Sequence, residues 1–528
     1  MPTRSIFVKF IWALLLGSVC SCASVQAAQP NIVIVLLDDM GFSDLGVMGS
    51  EVATPNIDTL ARNGLTLTQF YVQPRCSPTR AALLTGQTPH ASGVGFLAVP
   101  AAMQTAAGAY QGYLHADTET LASRLRKLGY ATYMSGKWHL GEAESYWPRR
   151  FGFARYFGLL SGASSYYELL PNGSATRRMA LDDERFEPPA NGFFMTDATS
   201  ERASEFVRQH LEHRSQQPFF LYLSYTAPHW PLHADADEIQ RNLPRYQQGP
   251  QAVVEKRIEA MRKLGVDVGS TSYQVDQGDD AADLMAAHAA MVTAADTGVG
   301  KLMQTLAAAE QLDNTLFFVF SDNGASAADV RSRGLHDPSK QVGERGSYRS
   351  YGAAWASVSN APWRGAKGTT FEGGIRTPLV MHWPQRSGER AAYDHASVAS
   401  VADIFSTALA AAGAEPGSGS TDNLNLLPLL NQAKLPADRM LFWEHGGWRA
   451  VRHGRYKAVF SPADPRWVLF DLVADPCECR ELTAPEYAQR RQQMTSAWAS
   501  WATAQGVDDA ALQAVVKDYR RHLLPPQK

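Results

Sequence analysis

Ile32-Val33-Ile34-Val35-Leu36-Leu37 is an unbroken apolar run, four of its residues β-branched, and it stops at Asp38-Asp39-Met40-Gly41. An unbroken run, as opposed to alternation, marks a strand covered on both faces, as at the centre of a parallel sheet. The design recurs three times. Residues 130–135 run into Gly136-Lys137-Trp138-His139, 219–225 into Ala227-Pro228-His229-Trp230, and 316–320 into Ser321-Asp322-Asn323-Gly324. Apolar strands that each end in a polar cluster predict an open α/β sheet, which binds ligands outside the carboxyl ends of its strands. The polar clusters are therefore candidates for one shared site.

Helical spacing fills the intervals, at 121–128, 285–306 and 401–412, and Met285, Met291 and Met303 read as core filling. The polar 238–280 stretch lacks a strand signal and predicts an insertion with one short charged helix, lining the site entrance. Turn-rich residues 413–425 mark a domain boundary. Beyond it, the partly alternating, Gly-punctuated 448–460 and the short run 467–472 predict a small antiparallel sheet, closed by a helix over 486–501. The expected fold is thus α/β, a large mixed but mostly parallel sheet sandwiched by helices, with a smaller C-terminal antiparallel sheet plus helix. The expected division is 1–27 export signal, 28–425 catalytic domain and 426–528 C-terminal α+β subdomain.

Composition adds little about the substrate. With 528 residues, 45% hydrophobic and 19% charged, the chain can bury an extensive core. A net charge of −3 and the lack of a continuous basic stripe give no support for a nucleic-acid partner. At the start, Arg4 and Lys9 precede an apolar run over 10–19, and Val25-Gln26-Ala27 offers a cleavage site. That run is too short for a comfortable membrane span, so the chain is expected to be exported, periplasmic or secreted. Val19-Cys20-Ser21-Cys22 leaves open a lipoprotein anchored through Cys22. Of five cysteines, Cys76, Cys477 and Cys479 then remain, too few for a disulfide scaffold. Cys477-Glu478-Cys479 reads as a local disulfide or as two free thiols.

The most informative stretch is Cys76-Ser77-Pro78-Thr79-Arg80-Ala81-Ala82-Leu83-Leu84-Thr85-Gly86. Pro78 suits a first helical turn, Gly86 can end the helix, and Arg80 lies one turn beyond Cys76. Cys76 is then placed at a helix N-terminus, where unpaired N–H groups attract an anion such as sulfate or phosphate. Asp38, Asp39, Asp322 and Asn323 offer hard oxygen donors that suit calcium or magnesium better than zinc. Lys137 and His139 project on the same side of an extended segment, one a point charge for an anion and the other a proton carrier. Taken singly, an Asp after a strand caps a turn, and His139, His229 or Lys367 reads as an ordinary structural or loop residue. Trp230, His233 and the 346–363 segment are candidate pocket walls; within the latter, Trp355 and Trp363 could stack on a sugar ring or an aryl group, but such residues more often pack in a core or an interface.

Together these motifs resemble type I, formylglycine-dependent sulfatases of the alkaline phosphatase superfamily. The resemblance runs from residue 31 to about 482, through Leu37-Asp38-Asp39-Met40-Gly41, the cysteine stretch, Gly136-Lys137-Trp138-His139-Leu140-Gly141, Ala227-Pro228-His229, Ser321-Asp322-Asn323-Gly324 and Phe371-Glu372-Gly373-Gly374-Ile375-Arg376-Thr377-Pro378. It implies that a maturation enzyme converts Cys76 to Cα-formylglycine, whose hydrate is the nucleophile. It also implies a divalent metal, calcium or else magnesium, held by Asp38, Asp39, Asp322, Asn323 and residue 76. Arg80, Lys137, His139, His229 and Lys367 would surround the sulfate of an aryl or carbohydrate ester, with His229 as general acid and His139 as base. The rival implications are a phosphodiesterase or phosphonate monoester hydrolase of the same superfamily, and an inactive carbohydrate-binding relative.

Overall fold

The computed structural model describes residues 29–98, 108–172, 175–269, 273–388, 392–415, 422–436 and 438–523. The expected export signal, with Cys20 and Cys22, and the middle of the 413–425 stretch lie outside the described residues.

Each unbroken apolar run is a fully buried strand: Asn31–Leu37, Ala131–Gly136, Phe219–Ser224 and Thr315–Ser321. They are direct neighbours and all parallel, Thr315–Ser321 pairing with Asn31–Leu37, that with Phe219–Ser224, and that with Ala131–Gly136. Arg155–Leu159 extends the parallel array on one side, and on the other Arg376–His382 joins antiparallel. Further strands bring the sheet to eleven. The lack of alternation in Asn31–Leu37 has a direct cause. Val33, Val35 and Leu37 face one core and Ile32, Ile34 and Leu36 the other, so both pleat faces are apolar. Helix Ala282–Ala308 contributes Met285 and Met291 to the first core, while helices Cys76–Thr85, Leu121–Lys127 and Val401–Ala411 cover the opposite face.

Stretch 238–280 departs from expectation. It carries two helices, Ala236–Asn242 and Pro250–Lys263, not one, and they pack behind the sheet. Arg257, fully buried, explains the docking, since its guanidinium meets Asp44 at 2.7 Å and Glu51 at 2.6 Å. Trp355 and Trp363 are 0% and 1% exposed and belong to the same core rather than to a pocket wall. Among the described residues no helix is long and apolar enough to cross a membrane.

The second sheet is antiparallel, Met440–His445, Trp448–His453, Tyr456–Ser461 and Asp464–Asp471, with helix Ala488–Ala504 packed on one face through Met494, Trp498 and Ala502. A further helix, Asp509–Leu523, turns back so that Leu512 packs with Phe96, Tyr110 and Cys76. Cys477 and Cys479 form a local disulfide.

The two sheets share a buried ionic junction. Lys457, fully inaccessible, lies 2.8 Å from Glu372 and 2.9 Å from Glu478. Burial pushes both carboxyls up, but Lys457 and Arg376 pull Glu372 down to about 2, whereas Glu478, facing the Glu372 charge, stays near 7. Lys457→Met leaves Glu372 buried without its ammonium, and should lower unfolding free energy by about 3–5 kcal/mol in urea titrations at neutral pH. Glu372 loses its charge as pH falls through its depressed value. The gap between parent and variant should therefore narrow from the ordinary glutamate range down toward about 2.

Candidate active site

The parallel array sets its polar clusters side by side, because four neighbouring strands end at the same edge. Asp38 and Asp39 leave one strand, Asp322 and Asn323 the next, His229 follows a third, and Lys137 and His139 close a fourth. Helix Cys76–Thr85 arrives from the opposite face with Cys76 as its first residue, and Gly86 ends it in the left-handed region at φ 65°. Arg80, one turn on, is fully buried.

Arg80 organises the floor. Its Nε and Nη2 donate to Asp322 Oδ2 at 3.1 and 2.7 Å, its Nη1 donates to the Lys137 carbonyl at 2.9 Å and to Ser224 Oγ, and Asp38 Oδ2 lies 3.5 Å away. Lys137 Nζ donates to Asp38 Oδ2. Asp39 Oδ1 accepts from Lys367 Nζ at 2.5 Å and from Asn323 Nδ2 at 2.7 Å. Cys76 Sγ lies 3.3 Å from His139 Nδ1. His229 Nδ1 donates to the Trp230 carbonyl at 2.6 Å, which directs Nε2 inward, 3.6 Å from Asp39 Oδ2. All ten candidate residues thus converge. Gly162 sits where a Cβ would come within 2.6 Å of the His139 ring, so the imidazole packs against a bare backbone.

The electrostatics are those of a site built for charge. Burial pushes Asp38 and Asp322 up; Lys137, His229 and Arg80 overcome it at Asp38, which is held far below the carboxylate range, while the Asp38 charge drives Asp322 higher still. Burial, then Lys137 and Arg80, hold His139 well below the imidazole range, so it stands neutral and able to accept a proton. Burial lowers His229 to about 3 against the opposing pull of Asp39. Asp38 Oδ1, Asp39 Oδ2 and Asn323 Oδ1 are buried and have no hydrogen-bond partner. Ligand atoms of Asp38, Cys76 and Asp322 lie within 4.8 Å of one another. Orphaned hard oxygens beside crowded carboxylates suit a divalent cation, which would satisfy the oxygens and relieve the repulsion between Asp38 and Asp322.

Above this floor opens a cleft of about 520 Å³, lined by Cys76, His139, His229, Lys367 and Trp230. Its other walls were not legible as site residues. Arg75, Arg177 and Arg333 reach it from three separate segments, His445 and Trp448 from the second sheet, and Val516 and Tyr519 from the last helix. Of these only Arg75 adjoins a motif. His233 is buried behind the cleft, hydrogen-bonded to the Ser347 carbonyl at 2.7 Å.

Residues 30–414 match the family model described as Sulfatase. An arylsulfatase of Klebsiella aerogenes is 32% identical over 436 residues, covering 77% of this chain and 91% of that protein. Human N-acetylgalactosamine-6-sulfatase is 30% identical over 468 residues, covering 86% of this chain and 76% of the relative. Among solved structures, Ps i-CgsB in complex with k-i-k-neocarrahexaose superposes with a TM-score of 0.70 at 25% identity, over 94% of this chain and 98% of that one. With the matched model spanning most of the chain and both relatives aligned over more than three quarters of each sequence, the protein belongs to the sulfatase family and is a sulfuric ester hydrolase.

Proposed function

We propose that the protein cleaves a sulfate monoester of a carbohydrate, through a nucleophile that a maturation enzyme generates at residue 76 by oxidising Cys76 to formylglycine. The observation that carries this reading is the position of Cys76. It opens a helix at the base of the cleft, beside the cationic side chains of Arg80, Lys137 and Lys367 and two imidazoles held neutral. The relatives act on aryl sulfate and N-acetylgalactosamine 6-sulfate by name, and the cleft is roomy enough for a sugar.

The hydrated aldehyde supplies two hydroxyls on one carbon, one to attack sulfur and one whose deprotonation lets sulfate leave. Asp38, Asp39, Asp322 and Asn323 would hold calcium or magnesium, which when bound polarises a sulfate oxygen. The helix N-terminus at Cys76, together with the charges of Arg80, Lys137 and Lys367, orients the sulfate and balances charge that grows on it in the transition state. His139, neutral and against residue 76, takes a proton there through Nδ1. His229 gives a proton through Nε2 to the departing alcohol, since its Nδ1 is committed to the Trp230 carbonyl. A bound sulfate ester places negative charge beside His229 and raises its depressed affinity for that proton.

Two measurements test the reading. Peptide mass spectrometry across residue 76, on chain co-expressed with a maturation enzyme, should find an aldehyde in place of the thiol, and that protein should release sulfate from 4-nitrophenyl sulfate faster than phosphate from 4-nitrophenyl phosphate. An unmodified thiol, or preference for the phosphate ester, sinks it. Chelation should abolish turnover and added calcium or magnesium should restore it. The same ion should raise the melting temperature, by the equivalent of about 2.7 kcal/mol at one hundred times its dissociation constant. We also propose that the chain is exported, which sequencing the mature N-terminus checks.

A further inference from the structure

Among the described residues, the buried guanidinium groups of Arg80, Arg257 and Arg376 pair with carboxylates. Arg452 and Arg177 do not; Arg452, away from the cleft, is met by the Gly454 carbonyl, the Tyr71 hydroxyl and Gln69 Oε1, whereas Arg177 faces the cleft. It is 6% exposed, lines the cleft, and donates to the carbonyl of Pro171 and toward the Tyr348 hydroxyl, but among the described residues it forms no salt bridge. Burial and the neighbouring charge of Arg333 both pull it below the ordinary guanidinium range. Arg333, also on the cleft wall and without a salt bridge among the described residues, lies 4.5 Å over the Trp230 ring, and Trp230 meets Tyr348 edge-on at 6.0 Å. A carboxylate does line the cleft above the floor, that of Glu142. It lies beyond ion-pair distance of Arg177, and burial pushes it toward its neutral form despite Arg178 and Arg177. Two adjoining cations without carboxylate partners, one of them desolvated, are costly unless an anion from outside completes them.

Their position says which part of a substrate that anion belongs to. The His229 ring is 4.4 Å from the Trp230 ring, so Trp230, Arg333 and Arg177 continue the wall that starts at the proposed general acid, with Tyr348 buried against Trp230. A group that protonates the departing oxygen faces the leaving alcohol, and so does the wall that continues from it. We propose that Arg177 and Arg333 form a second anion subsite on the leaving-group side of the cleft, and that the natural substrate is a sulfated sugar bearing a further negative group, a second sulfate or a carboxylate. This rests on the sulfatase reading above and adds to it the charge of the leaving group.

The test is calorimetric titration of the full-length Cys76→Ala protein, which binds without turning over, with N-acetylgalactosamine 6-sulfate and N-acetylgalactosamine 4,6-disulfate. The disulfate should bind at least about tenfold more tightly than the monosulfate. Arg333→Ala, a substitution on a half-exposed loop that does not threaten folding, should bring that ratio to about two, the statistical advantage of two sulfates. Arg333→Lys should keep most of it, and Arg177→Gln should bring it down toward the same value of about two. A ratio near two in the parent, no measurable binding of the disulfate, or a ratio unmoved by Arg333→Ala overturns the proposal. Failure of the underlying reading shows separately, as absence of sulfate release from 4-nitrophenyl sulfate by aldehyde-bearing protein.

Discussion

Cys76→Ala is expected to lower steady-state sulfate release from 4-nitrophenyl sulfate by at least about four orders of magnitude, the loss seen when a covalent nucleophile is removed and only binding and charge stabilisation remain. The fold should survive. Cys76 Sγ is buried but makes one polar contact, to His139 Nδ1, and nothing in the backbone depends on it. Removing one buried atom costs about 1 kcal/mol, which shifts the melting temperature of a chain this long by a few degrees at most. Cys76→Ser is the sharper comparison, because serine restores a hydroxyl at the same place but only one. A serine sulfate cannot expel its sulfate by forming a carbonyl, so repeated turnover should remain absent even though the helix N-terminus, Arg80 and Lys137 are intact. Ion chromatography of released sulfate with thermal unfolding of each variant checks both halves. Full activity in either variant would remove residue 76 from the chemistry.

The floor of this site was readable in the chain because two strong physical signals coincide there. A strand buried on both faces must be apolar throughout, so its end is abrupt, and parallel neighbours put those ends at one edge; Leu37-Asp38 and Phe320-Ser321-Asp322 show the change within a residue or two. The walls carry no such signal. Arg177 stands in a loop and Arg333 in a single 3-10 turn far from it in sequence, both indistinguishable there from solvated arginines, and Tyr519 is on a helix whose docking depends on packing Leu512 against Phe96 and Tyr110. Stretch 238–280 misled for a related reason. Its polarity suggested an insertion lining the site entrance, but one charge, Arg257, is consumed by Asp44 and Glu51 and anchors the segment behind the sheet. Trp355 and Trp363, which could have stacked on a sugar but more often pack inside, fill the core, Trp355 donating its indole N–H to the Ala281 carbonyl at 3.0 Å.

His229→Ala should separate substrates by their leaving groups. A nitrophenolate departs without a proton, whereas a sugar alkoxide needs one in the transition state, and a positioned general acid is worth about 10²–10⁴-fold. The variant is therefore expected to lose about that factor in kcat on a carbohydrate sulfate and less than about tenfold on 4-nitrophenyl sulfate. Loss of packing alone would depress both equally, and an equal loss argues against the acid assignment. The pH profile adds a second, independent readout. Burial holds His229 at about 3 in the free protein, with Asp39 resisting. The proton that the acid must carry is therefore retained only when the sulfate ester's charge is beside it, and it is lost as pH rises. Turnover of the carbohydrate ester by the parent should decline on the alkaline side with one ionisation that the aryl ester does not show, and that limb should vanish in His229→Ala. His139→Ala should behave differently, lowering turnover of both esters together, because the proposed base, 3.3 Å from Cys76 Sγ, would take its proton from residue 76 whatever the leaving group. If instead His139→Ala discriminates between the esters and His229→Ala does not, the acid and base roles are exchanged.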